Sequence, residues 1–98
     1  MCTEIKNSAF YYCTSLTSVD FSVCETIGNN AFQNCLALVS VNFPACTTIG
    51  GSAFQNCKSL ELAYFPACTS ITSNAFLGCS SLKTLSFPAY LSINDSLF

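Results

Sequence analysis

The chain has no histidine, no arginine and no tryptophan, and its only basic residues are Lys6, Lys58 and Lys83. Each absence closes a class of function. A nucleic-acid surface needs a cationic stripe to displace counterions, and three lysines against five acids cannot make one. A catalytic thiol needs a base and an electropositive pocket, which neither histidine nor arginine is present to supply. The acids Glu4, Asp20, Glu25, Glu61 and Asp95 fall at different phases, so no carboxylate pair converges for acid–base work. Glycine is scarce as well, and Gly50–Gly51 is not followed by the Lys-Ser or Lys-Thr of a phosphate loop. No apolar run approaches the roughly 18–20 residues that span a bilayer, which excludes a membrane-inserted helix. The opening "MCTEIKNSAF" carries an acid and no hydrophobic stretch, and does not read as a signal peptide. With 8% charged residues and a net charge of -2, colloidal repulsion is weak.

What is present is periodic. Ile5, Ile27, Ile49, Ile71 and Ile93 recur every 22 residues, and the chain has no other isoleucine. Leu16, Leu38, Leu60 and Leu82 keep the same period. The nine phenylalanines recur every 11 residues from Phe10 to Phe98, and the eight cysteines every 11 from Cys2 to Cys79, with Tyr90 in the next cysteine place. Such self-similarity marks a solenoid, in which no unit buries its apolar residues alone and stacking turns each column into a continuous core. An 11-residue period also fits a right-handed coiled coil, but the recurring Pro and β-branched residues oppose it.

Each 22-residue unit has two halves. In "LVSVNFPACTT" the apolar residues alternate at Val41 and Phe43, as in a short strand, and Pro44, Pro66 and Pro88 follow as strand terminators. In "IGNNAFQNCLA" a Ser or Asn precedes Ala-Phe. Ser8, Asn30, Ser52 and Asn74 are therefore predicted to be N-caps, each opening one helical turn. Asn34, Asn56 and Gly78 suit the left-handed conformation that closes it, and Tyr12 departs from that pattern.

The places Leu38, Val41, Phe43, Cys46 and Ile49 fill the segment LxxLxLxxN/CxxL, and with "IGxxAFxxCxxL" the unit resembles the BspA-like subfamily of leucine-rich repeats. The likeness covers the whole chain, with Ser22, Ala63 and Tyr90 as departures. It implies an α/β repeat solenoid: a right-handed coil with a parallel β-sheet on the concave face and short helical turns on the convex side. Residues 1–98 form one segment of about four and a half repeats without evident capping repeats. Uncapped ends predict end-to-end or swapped self-association.

Cysteine at this density invites a disulfide framework, yet the spacing favours packing. Neighbours in one column sit one coil apart, roughly 4.7–4.9 Å, with parallel Cα–Cβ vectors, whereas a bridge wants convergent Cβ atoms near about 3.8 Å. A linear ladder without CxxC or histidine does not converge on a metal. Small buried hydrophobes whose S–H reaches a turn carbonyl account for the pattern.

The strand residues between core places face outward. Stacking sets Asp20, Asn42, Tyr64 and Ser86 in one row and Thr17, Val39, Glu61 and Lys83 in another, with Glu61 and Lys83 placed to pair. Leu62 and Tyr64 stand out as an apolar pair on a polar face. Either they anchor a partner, or Tyr64 covers the gap left by Ala63. The candidate face is Asp20, Asn42, Glu61, Leu62, Tyr64 and Lys83. Resemblance to BspA-like proteins implies a non-catalytic protein-binding or adhesion module, cell-surface or secreted, with a protein partner on a host or neighbouring cell and no cofactor. A structural spacer within a longer array is the alternative. "NDS" at Asn94 also fits a glycosylation sequon.

Overall fold

The structure, a computed structural model, describes residues 3–88; Cys2, Tyr90 and the Asn94 sequon lie outside them. Short alternating segments form β1 (Glu4–Ile5), β2 (Ser18–Asp20), β3 (Thr26–Ile27), β4 (Ser40–Asn42), β5 (Thr48–Ile49), β6 (Leu62–Tyr64), β7 (Ser70–Ile71) and β8 (Thr84–Ser86). They pair as two four-stranded sheets, in the orders β1-β3-β5-β7 and β2-β4-β6-β8. All pairing is parallel and one repeat in register, as in Ile5↔Ile27, Val19↔Val41, Val41↔Ala63 and Ala63↔Leu85. The chain is a parallel β-solenoid.

Alternation sets the inward residue of each longer strand: Val41 is buried between Ser40 and Asn42, and Ala63 between Leu62 and Tyr64. The Phe43 N–H still reaches the Tyr64 carbonyl at 3.0 Å, and the ladder then stops at Pro44, which has no N–H to give. The second sheet is not foreseen by the strand pattern, since its strands are only two residues long. Its signal is the Thr-Ile doublet at Thr26–Ile27 and Thr48–Ile49, where the β-branched pair puts isoleucine inside.

The predicted helical turns do not form, and no helix exists among the described residues. The residues expected as N-caps are instead left-handed, with φ of 59° at Ser8, 60° at Asn30, 57° at Ser52 and 64° at Asn74. Tyr12, Asn34, Asn56 and Gly78 are left-handed too, as the closing positions require. Between these reversals the N–H groups alternate in direction. Ala31, Gln33 and Cys35 donate within their own coil to Gly28, Asn30 and Phe32, whereas Asn30, Phe32 and Asn34 donate to Gly51, Ala53 and Gln55 of the next. A helix would keep every N–H inside its own turn. Here half of them join coil to coil, and left-handed residues make that possible by interrupting the helical run.

The core is two phenylalanine stacks set against each other. Phe54 lies parallel to Phe32 and Phe76, with centroids at 5.1 and 5.4 Å, and edge-on to Phe43 and Phe65 at 6.4 and 5.8 Å. Leu38, Leu60, Ile27 and Ile49 fill the corners and are fully buried. Coils touch closely at Gly50. A Cβ there would lie 2.7 Å from the Asn29 backbone nitrogen and from its Oδ1, the atom that accepts the Gly51 N–H at 2.8 Å. Gly50→Ala is expected to part these coils and cost about 1–3 kcal/mol, read as a lower urea midpoint at unchanged slope.

Candidate functional site

The outward face of the β2-β4-β6-β8 sheet carries Asp20, Asn42, Leu62 and Tyr64, and Glu61 and Lys83 stand exposed one residue ahead of β6 and β8. Asp20, Asn42, Tyr64 and Ser86 stand in register along one row, and Ser18, Ser40, Leu62 and Thr84 along another. The Asn42 amide donates from Nδ2 to Asp20 Oδ1 at 3.2 Å, and Lys83 Nζ meets Glu61 Oε1 at 3.7 Å, as the sequence places them. Both contacts are exposed, so each contributes at most about 1 kcal/mol. Asn42 Oδ1 is shielded from solvent and has no donor.

Leu62 and Tyr64 are 41% and 42% exposed, and Val39 is 41% exposed. The Val39 carbonyl accepts the N–H groups of both Glu61 and Leu62, which brings it beside them as a third apolar member. Val39 sits in a row the sequence defines, but only its exposure marks it as part of the patch. Ala63 faces the core between Leu62 and Tyr64, so Tyr64 projects from the opposite side of the strand to the place where Ala63 is small. The tyrosine does not fill that gap.

The thiols have a different geometry. The described cysteines are free, and Cys24, Cys35, Cys46, Cys57 and Cys68 are buried. In one column Cys35, Cys57 and Cys79 donate from Sγ to the Phe10, Phe32 and Phe54 carbonyls of the preceding coil, each at 3.1 Å. In the other, Cys24, Cys46 and Cys68 reach Thr26, Thr48 and Ser70 in their own coil at 3.4, 3.4 and 3.5 Å. The packing role read from the sequence holds, and one column also ties coils together. Burial pushes the Cys46 thiol up to about 12 and the Cys79 thiol to about 11, and raises those of Cys35, Cys57 and Cys68. Thiols that keep their protons are poor nucleophiles. Among the described residues no group of three or more His, Cys, Asp or Glu side chains could hold a metal ion.

Elsewhere, an open groove of about 360 Å³ lies on the flank of the first coil, walled by Ile5, Ala9, Phe10 and Phe21 with Glu4 and Lys6 also lining it. Among the described residues no helix is long and apolar enough to cross a membrane.

Stacked parallel coils with one broad strand row and buried columns of Leu, Ile, Phe and Cys define a leucine-rich-repeat solenoid. Residues 2–98 match the BspA type leucine rich repeat region in six copies, and the chain belongs to that family. A leucine-rich repeat protein from Bacteroides ovatus ATCC 8483, known from a crystal structure, is 36% identical with a TM-score of 0.78. The match covers 82% of this chain and 22% of that one, so the chain spans about a fifth of its neighbour's length. No curated protein matches the chain.

Proposed function

We propose that the chain is a non-catalytic protein-binding module of a cell-surface or secreted leucine-rich-repeat array. The β2-β4-β6-β8 sheet forms the concave face of a right-handed coil and carries the contact. The observation that supports this reading is the exposed cluster of Val39, Leu62 and Tyr64 on a face otherwise made of Ser, Thr, Asn and charged residues. An aromatic and an aliphatic anchor inside a polar rim is the arrangement that binding hot spots use. Family membership supports the absence of catalysis, and the proton-holding thiols agree with it.

Peptides selected on the full chain from a displayed random library provide the test. Leu62→Ala and Tyr64→Ala are each expected to weaken the selected binders by about 2 kcal/mol or more while leaving the urea midpoint unchanged. Binders that ignore both substitutions would show that the face is not the contact. A spacer with no ligand of its own would yield no sequence-specific binder.

A further inference from the structure

Asp20 is an uncompensated carboxylate on this face. Glu61 on the same face pairs with Lys83, whereas Asp20 receives the Asn42 amide without a cation. Asn42 in turn directs Nδ2 at Asp20 and leaves Oδ1 without a donor, out of contact with water. Asn42 stands between Asp20 of β2 and Tyr64 of β6 in the same row of the sheet. A buried acceptor without a donor is costly, and an incoming donor would relieve it. The row therefore holds a free negative charge, an unmet acceptor and an exposed aromatic ring, spread over two strand spacings, about 9–10 Å.

One side chain matches all three. Arginine keeps its charge at any working pH, presents five N–H donors in a planar fork, and stacks on aromatic faces. Lysine offers a compact, strongly hydrated charge that serves the carboxylate but neither the ring nor a second acceptor as well.

We propose that Asp20, Asn42 and Tyr64 form a subsite for an arginine of the protein partner. This rests on the reading that the sheet face binds protein. The guanidinium bonds to the Asp20 carboxylate, gives a further N–H to Asn42 Oδ1 and lies against the Tyr64 ring, which turns to admit it. Leu62 and Val39 receive an apolar residue beside that arginine.

The test titrates the isotopically labelled full chain with a capped Leu-Ser-Arg-Ser-Leu peptide and with its lysine counterpart, following backbone amide signals. The arginine peptide is expected to shift Asp20, Asn42 and Tyr64 and to bind several-fold more tightly than the lysine peptide. Asp20→Asn keeps an oxygen for the Asn42 amide, so the fold stands, and it should weaken the arginine peptide about tenfold or more. Equal affinity for the two peptides, indifference to Asp20→Asn, or no shift along the row overturns the subsite. Library-selected peptides that need Tyr64 yet carry no arginine overturn the subsite while the face reading stands. Peptides that ignore both Leu62→Ala and Tyr64→Ala overturn both.

Discussion

Phe54→Ala is expected to remove most of the protein's stability. Phe54 is fully buried in the middle of one phenylalanine stack, parallel to Phe32 and Phe76 and edge-on to Phe43 and Phe65. Truncating a buried phenylalanine costs about 3–5 kcal/mol, through lost transfer energy and the cavity left behind. Whole domains of this size hold only about 5–15 kcal/mol. Four aromatic neighbours frame the vacancy, and their positions are fixed by coil-to-coil hydrogen bonds, so collapse is resisted. In a solenoid the loss also falls on the interface between neighbouring repeats, the term that keeps the array cooperative. Phe10→Ala, at a half-buried position, should cost less. Urea unfolding followed by circular dichroism reads both. A Phe54→Ala midpoint within about 1 kcal/mol of the parent would mean that the stacks are not a continuous core.

Raising the pH is expected to unfold the protein over a window set by its thiols. Desolvation lifts Cys46 from 9.0 to about 12 and Cys79 to about 11, and moves Cys35, Cys57 and Cys68 the same way. Between those values and 9.0 the native state holds protons that the unfolded chain has released. The stability these thiols contribute is complete below pH 9.0 and drains away as pH climbs to about 12. Urea midpoints should therefore be level near neutrality and fall steeply above pH 9.0. A Cys46→Ala, Cys57→Ala variant, though less stable at neutral pH, should show a shallower alkaline fall. Midpoints that hold or rise through the window would contradict the burial of the thiols as ionisable groups.

Most of the coil is legible in the sequence because its inward residues belong to strict columns. Phe54, Cys57 and Leu60 are buried where the period puts them, and the outward rows through Asp20 and Glu61 keep their register. The second half of each unit is not legible in the same way. Asparagine or serine ahead of Ala-Phe is the signature of an N-cap, but asparagine also tolerates a left-handed turn. The choice between them depends on where the N–H groups go, and side-chain periodicity does not record that. Asn30 and Ser52 donate across to the next coil, so the turn prevails. The two-residue strand Thr48–Ile49 escapes notice for a related reason, since alternation has no room to repeat. At the candidate face the Glu61–Lys83 pair follows directly from the repeat. The unmet Asn42 acceptor does not, because it depends on how one amide is turned.

The interior cysteines pack the core, apart from the outward face proposed for binding. Counting thiols tests that division most directly. Without reductant, all eight cysteines should react with a thiol reagent once the chain is unfolded. In the folded protein Cys24, Cys35, Cys46, Cys57 and Cys68 should react only at the rate of global opening. Fewer than eight thiols after unfolding, or rapid reaction of those five in the native state, would mean that the cysteines do chemistry after all.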